Sequence, residues 1–370
     1  MQNNYRIIDT TLREGEQTPG VAFHMTEKLR IVDGLAAIGV DEVELGIASV
    51  LTRDIDRLLL SCRNRHPALS LSLWSRCRPE DISVARLLRP DILSLSIPVS
   101  DLHLEQRLGK DRDWARRQMI EAIAMTLDAG IKVSIGFEDA TRAETGFLTE
   151  MATMAAQAGA TRIRLADTVG ICSPGRMSGL IETVKRFVGN CALAVHTHND
   201  FGMATANAVA AFEAGASWAD ATVLGLGERA GCARLEELAG YLALEKGRKN
   251  LAPEQLKNLA EYVAGRISCS IDPARPLIGS RIFTCETGLH LQGLQRNPTT
   301  YEPYPPEYVG AERSLHYGSK CGRRAFTERL SQLGCHLNRE QINRRISSLR
   351  ERAHCAGTSL TDAEMLAAMP

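Results

Sequence analysis

The chain has 370 residues, 44% of them hydrophobic and 24% charged, with 44 basic side chains against 44 acidic ones. That length exceeds one small domain and fits a large α/β barrel with an appendage. The composition excludes a disordered or fibrous chain, and the zero net charge leaves no global field to gather nucleic acid or an anionic membrane.

No apolar run reaches the roughly 20 residues of a membrane helix. The opening stretch MQNNYRIIDTTLREGEQ lacks the apolar centre of a signal peptide. Ten cysteines without a CxxC pair read as reduced thiols of a cytoplasmic protein.

In chain order, β-prone runs appear as YRIIDT, DEVELGI, LSLSLWS, DILSLSIPVS, KVSIGFED, TRIRLADT, ALAVHTHND and WADATVLGLG. Helix-period stretches such as TEKLRIVDGLAAIG, RRQMIEAIAMTLDAG and SGLIETVKRFVG lie between them, with Thr26 and Ser178 as expected N-caps. Eight strand–helix repeats within about 250 residues is the rhythm of a TIM (β/α)8 barrel. A doubly wound sheet, the alternative, wants a glycine-rich phosphate turn after its first strand. Thr-Leu-Arg-Glu-Gly-Glu-Gln stands there instead. The expected division is a barrel over residues 1–250 and a linker with a mainly helical subdomain over 251–370. In the latter, Ile342, Ile346 and Leu349 share one helical face among arginines, read as a solvated surface helix, with contact to nucleic acid or an acidic partner as the alternative.

Unusual polar residues gather at the C-terminal ends of the runs: Arg13 and Glu14, Glu44, Arg76, Glu138 and Asp139, Asp167 and Thr168, His196 and His198, Glu228 and Arg229. TIM barrels assemble their active sites at that rim. His196 and His198 are two apart on a predicted strand and so face one way, as two imidazoles sharing a divalent ion must. A third, anionic ligand is needed. Glu14 is the candidate and Asp9 the rival. Two histidines and a carboxylate leave positions for water and for a chelating 2-oxo acid, whose ketone the ion polarises. Arg13 is placed to hold an oxyanion, with a structural salt bridge as its plainer role. GLGERAG reads as a tight rim turn with a Glu228–Arg229 pair, not a dinucleotide cradle.

DTTLREGEQ, HTHND and GLGERAG, in that order, resemble the 2-oxo-acid: acetyl-CoA Claisen-condensing synthases, over about residues 5–325. These are the isopropylmalate, citramalate and homocitrate synthases, within the metal-dependent DRE-type TIM-barrel lyases. The resemblance implies a TIM barrel followed by helical subdomains in a homodimer. It implies Arg13 as enolate and oxyanion stabiliser, and Glu14, His196 and His198 as ligands of a divalent Mg, Mn or Zn ion. Gln17 corresponds to a substrate-pocket glutamine, Glu138 to an active-site glutamate and Thr168 to the threonine that binds the 2-oxo acid carboxylate. His290, in TGLHLQG, corresponds to a subdomain histidine that reaches the partner's active site and takes part in proton transfer from acetyl-CoA.

Arg-Glu-Gly-Glu-Gln and VSIGFEDATRAETGFL resemble the nitrogenase-associated homocitrate branch, which implies 2-oxoglutarate as the acceptor. Isopropylmalate or citramalate synthesis, and an aldolase or lyase on the same barrel, are the alternatives. The chain departs from the family pattern at Cys232 (usually Asn), at Cys285 (usually His) and in Gly318-Ser319-Lys320-Cys321-Gly322 (usually Gly-Lys-His-Ser-Gly). It also has Ser134 where lysine-pathway enzymes carry an Arg. With Arg162 and Arg164 expected outside the pocket, Arg76 is the expected cation for the second carboxylate.

Overall fold

Each β-prone run alternates side chains of two kinds, and a closed barrel gives each kind its own side. The computed structural model describes residues 5–49, 52, 54–286, 288–319 and 321–367; Thr287 and Lys320 of the motifs above lie outside these. Eight parallel strands close in chain order: β1 (Arg6–Asp9), β2 (Glu42–Ile47), β3 (Ser70–Arg76), β4 (Ile92–Pro98), β5 (Lys132–Glu138), β6 (Arg162–Asp167), β7 (Ala192–Thr197) and β8 (Trp218–Ala221). The register sets Asp220 of β8 beside Ile8 of β1, closing the ring. Around it run α1 (Met25–Ile38), α2 (Ile55–Arg65), α3 (Pro79–Leu88), α4 (Arg112–Asp128), α5 (Thr145–Gln157), α6 (Pro174–Lys185), α7 (Ala204–Ala214) and α8 (Leu235–Leu244). The barrel expectation holds, and the doubly wound alternative falls.

Val43, Leu45, Leu71, Leu73, Leu93, Leu95, Val133 and Ile135 are fully buried and belong to the set that faces the helices. Burying each such side chain stabilises the fold by about 1.5–3 kcal/mol. The alternate set faces the barrel axis. Register pairs Ser94 with Ser134, Ser134 with Arg162, Gly136 with Arg164, and Ala166 with His196. Partners in a parallel ladder point the same way, so Arg162 and Arg164 lie inside. Both are engaged by carboxylates within the barrel, Arg162 at the very start of β6, so neither offers a free cation at the rim. Each is less than 5% exposed. Arg162 donates to both Glu42 oxygens at 2.8 Å and to Ser134 Oγ at 3.0 Å. A barrel interior is ordinarily filled by branched apolar residues; here ion pairs fill part of it, because a buried charge is tolerated only when paired.

The expected helix caps also change. The α1 cap is His24, whose N–H is accepted by Glu27 Oε2 at 2.8 Å, and Thr26 lies within the helix. The α6 helix begins earlier than its apolar periodicity suggests, after Ser173 with Pro174 in its first turn, so Ser178 is interior and donates to Ala210 O. Proline fits a first turn because its missing N–H has no intrahelical partner there.

A ninth helix, α9 (Leu256–Arg266), packs on α1. The barrel unit runs to Ser270 and a second unit spans Ile271–Pro370, a division later than the composition shift near residue 250. The second unit holds a two-residue parallel pair, β9 (Thr284–Cys285) with β10 (Ser314–Leu315), and α10 (Gly288–Arg296), α11 (Arg323–Gln332), α12 (Arg339–Ala356) and α13 (Asp362–Ala367). Ile342, Ile346 and Leu349 pack with Phe326, Leu330 and Tyr317 into this unit's own core, and Arg344 and Arg350 remain exposed. No described helix is long and apolar enough to cross a membrane.

Candidate active site

The chain leaves β1 in a tight turn. Arg13 and Glu14 both donate backbone N–H groups to Thr10 O, at 3.0 and 2.7 Å. Strand alternation is suspended there, so two adjacent side chains serve one site. Arg13 Nη1 donates to Glu14 Oε2 at 2.5 Å, and Arg13 Nε to Glu44 Oε2 at 2.5 Å. All three residues are buried.

His196 occupies the end of β7. His198 lies just past the strand, in an isolated bridge to Cys232. The two Nε2 atoms are 3.3 Å apart. Glu14 Oε2 is 3.7 Å from His196 Nε2, and Glu14 Oε1 is 4.0 Å from His198 Nε2. One donor atom from each of the three lies within 4.8 Å of the other two. Ligands at about 2.0–2.1 Å from a tetrahedral ion stand about 3.3 Å apart, so this donor set fits a divalent ion with little movement. Charge state favours it as well. Burial drives the His198 imidazole down to about 4, helped by neighbouring His196, so it is neutral with a lone pair free. Burial alone raises Glu14, but Arg13 and the two imidazoles outweigh it and hold its carboxyl below the usual range.

Asp9, the rival ligand, faces the other way. Its oxygens accept from Thr11 N and Thr11 Oγ1, both at 2.9 Å, and burial pushes its carboxyl up to about 7.

The GLGERAG turn serves Glu14. Glu228 N donates to Glu14 Oε1 at 3.2 Å. A Cβ at Gly227 would stand 3.1 Å from that oxygen, so a side chain there would crowd the carboxylate. Gly231, at φ +82°, would drive a Cβ to 1.9 Å from Gly225 O. The expected Glu228–Arg229 pair does not form. Arg229 instead bonds both Asp200 oxygens at 2.9 Å and Thr168 O at 2.8 Å, tying the rim after β6, β7 and β8 together. Cys232 is buried with Sγ 3.1 Å from Thr222 Oγ1, and burial pushes its thiol up strongly. It is not one of the three grouped donors.

A second cluster stands where β4, β5 and β6 end. Glu138 accepts from Ser96 Oγ at 2.8 Å and pairs with Arg107, which sits on a short π-helix over His103–Leu108. Thr168 Oγ1 accepts the Asp139 N–H at 2.8 Å. Arg76 lies at the inward-facing end of β3, but its guanidinium is turned to Asp81, bonding both oxygens at 2.7 and 3.0 Å. Gln17 is exposed on the 3-10 turn Gly15–Gln17. His290 is exposed on α10 of the second unit, its ring 4.0 Å from that of Tyr301. The structure therefore joins Arg13, Glu14, His196 and His198 in one contact network. It joins Glu138 and Thr168 through Asp139 in another, and leaves Arg76 and Gln17 on the rim.

The sequence marks Glu44 only as a rim carboxylate without a role, and marks neither Arg164 and Asp220, which with Glu44 hold the first network from below, nor Arg107, which holds Glu138. The period-two pairs Glu42-x-Glu44 and Arg162-x-Arg164 carry the same signal as His196-x-His198. No comparable signal marks Arg107.

Residues 4–263 match the family model described as HMGL-like, and residues 277–356 match that described as homocitrate synthase post-HMGL domain-like. The chain is 41% identical to a homocitrate synthase of Frankia alni, over 89% of this chain and 93% of that one. It is 37% identical to 2-isopropylmalate synthase 2 of Caldanaerobacter subterraneus subsp. tengcongensis, over 97% and 94%. It is 34% identical to an (R)-citramalate synthase of Methanocaldococcus jannaschii, over 98% and 73%. Among solved structures, a hydroxymethylglutaryl-CoA lyase from Pseudomonas aeruginosa superposes with a TM-score of 0.67 at 18% identity, over 72% of this chain and 94% of that one.

Proposed function

The chain belongs to the HMGL-like family, among its homocitrate, 2-isopropylmalate and citramalate synthases, and from that membership we propose that it is a homocitrate synthase, condensing acetyl-CoA with 2-oxoglutarate to homocitrate and free CoA. The observation that carries the reading is the meeting of Arg13 with Glu14, His196 and His198 at one buried point of the rim.

Glu14, His196 and His198 would hold the divalent ion, Mg, Mn or Zn. When bound, such an ion supplies Lewis-acid polarisation of the ketone. Arg13, a planar fork already oriented by Glu44, meets the negative charge that develops on oxygen as the C–C bond forms. Thr168 and Gln17 take the carboxylate end of the 2-oxo acid. Glu138 and His290 serve proton transfer from the acetyl methyl group: the C–H proton leaves, the methyl carbon bonds to the ketone carbon, and water then cleaves the thioester to release CoA. By family resemblance His290 acts in the site of the partner subunit of a homodimer. Mixing His290→Ala with His196→Ala subunits then restores partial activity, and inactivity of confirmed heterodimers contradicts the shared site. Ten free thiols suit a reducing, cytoplasmic compartment, and a role in nitrogen fixation follows from the resemblance to the nitrogenase-associated branch.

The second carboxylate of 2-oxoglutarate needs a cation, because a buried unpaired carboxylate is costly. Arg76 serves once it exchanges Asp81 for substrate. The second reading, 2-isopropylmalate or citramalate synthesis, rests on the close match to those synthases and on the absence of an Arg at Ser134. A thiol-release assay across 2-oxoglutarate, 2-oxoisovalerate and pyruvate separates them. Turnover highest with 2-oxoglutarate is expected, and no CoA release with any of the three points to a lyase.

A further inference from the structure

We propose that Asp220 and Arg164 are positioning residues for the metal site, fixing which nitrogen of His196 offers its lone pair. The inference rests on the reading of Glu14, His196 and His198 as metal ligands.

Asp220 faces the barrel axis from β8 and is buried. Its Oδ2 lies 2.8 Å from His196 Nδ1 and accepts from Arg164 Nη1 at 2.6 Å. A carboxylate oxygen only accepts, so His196 must carry its proton on Nδ1. Its Nε2 is then a bare lone pair, facing His198 and Glu14. Without that anchor a neutral imidazole is free to carry its proton on Nε2, where it would block the ion.

Arg164 anchors the anchor. Its other terminal nitrogen, Nη2, donates to Glu44 Oε1 at 3.0 Å, and the other Glu44 oxygen takes Arg13 Nε at 2.5 Å. Arg13 in turn reaches Glu14. The chain Glu14–Arg13–Glu44–Arg164–Asp220–His196 thus closes on itself, because Glu14 Oε2 stands 3.7 Å from His196 Nε2. One ring, a run of alternating ion pairs closed by the His196 imidazole, sets both the metal ligands and the oxyanion-binding guanidinium. A buried ion-pair network of this kind is weak evidence for stability, since apolar side chains of similar volume often serve as well. What an apolar set cannot do is hold an imidazole in one tautomer and a guanidinium at one angle.

The test is Mn2+ binding by the chelator-stripped full-length protein, with the imidazole nitrogens followed by 15N NMR and the fold by circular dichroism. Wild-type protein should bind one Mn2+ per chain and show His196 protonated on Nδ1. His196→Ala should abolish binding. Asp220→Asn should weaken Mn2+ about 10–100-fold, the usual cost of losing a partner of a metal-bound histidine, and populate the second tautomer. Arg164→Lys should weaken it less, because an ammonium keeps the charge but cannot span two carboxylates. Affinity within twofold of wild type in folded Asp220→Asn, with His196→Ala inactive in binding, overturns this inference and leaves the metal reading standing. Equal binding by wild type and His196→Ala overturns both. If Asp220→Asn does not fold, the wild-type spectrum decides: a proton on Nε2 of His196 contradicts the proposal.

Discussion

On β2, β6, β7 and β8 the inward-facing layer carries Glu42, Glu44, Arg162, Arg164, His196 and Asp220, each engaged with another of the set or with the turn after β1. On β3, β4 and β5 the matching layer carries Ser72, Ser94, Ser134 and Gly136, beside Trp74 and Arg76. Removing Glu42, Glu44, Arg162 or Arg164 strands a buried charge at a cost of about 3–5 kcal/mol, whereas loss of the His196 imidazole leaves Asp220 paired with Arg164. On the small-residue side Ser134 adds a single hydrogen bond to Arg162 and Ser94 a polar contact to Glu44, so their loss strands no buried charge. The first side then serves the reaction, and the second the choice of 2-oxo acid.

The largest effect should come from breaking the charged side at its metal end. His196→Ala is expected to lose bound metal and all CoA release while keeping its circular dichroism spectrum; full metal occupancy in that variant would remove Glu14, His196 and His198 as the site. Next is Arg13→Lys, which keeps the charge but loses the fork. A fall in kcat of about 10²–10³ is expected, the scale of a lost oxyanion donor, with a smaller rise in KM. A change confined to KM would make Arg13 a binding residue.

On the other side, Arg76→Ala should cost about 10–100-fold in kcat/KM for 2-oxoglutarate, the worth of a hydrogen-bonded charge, and leave pyruvate turnover as it was. The half-exposed Arg107, paired with Glu138, sharpens this: an unchanged preference in Arg76→Ala, with the preference lost in Arg107→Leu, would move the second carboxylate to Arg107.

The smallest effect lies outside the barrel lining. Burial raises Glu236, on α8, from 4.5 to about 7. Between those values the folded state holds a proton that the unfolded state has released, so its contribution to stability falls as pH rises through that window. Glu236→Gln, which can still accept the Leu224 N–H, should therefore raise Tm at pH 8 by a few degrees, at about 2–4 °C per kcal/mol, and by much less at pH 4.5. A variant less stable than wild type at pH 8 would contradict the sign.

The barrel was legible because outward-facing Val, Leu and Ile recur at every second position of the runs from β2 to β7, and the metal group because His196 and His198 repeat that spacing. Arg162 and Arg164 repeat it too. Their ion pairs leave no local sign, because their partners Glu42, Glu44 and Asp220 are distant in sequence, joined only by closure. Arg229 reaches Asp200 and not its neighbour Glu228 for the same reason: a pair across three loops leaves no local pattern. Thr26 and Ser178 failed as caps because α1 and α6 begin a few residues earlier than their apolar faces suggest.

The acceptor separates the three synthase activities. In one vessel, equimolar 2-oxoglutarate, 2-oxoisovalerate and pyruvate compete for limiting [13C]acetyl-CoA, and the labelled products are identified by mass spectrometry, which reads the ratio of kcat/KM values directly. Homocitrate as the dominant labelled product is the predicted result; labelled isopropylmalate or citramalate in excess of homocitrate would contradict it.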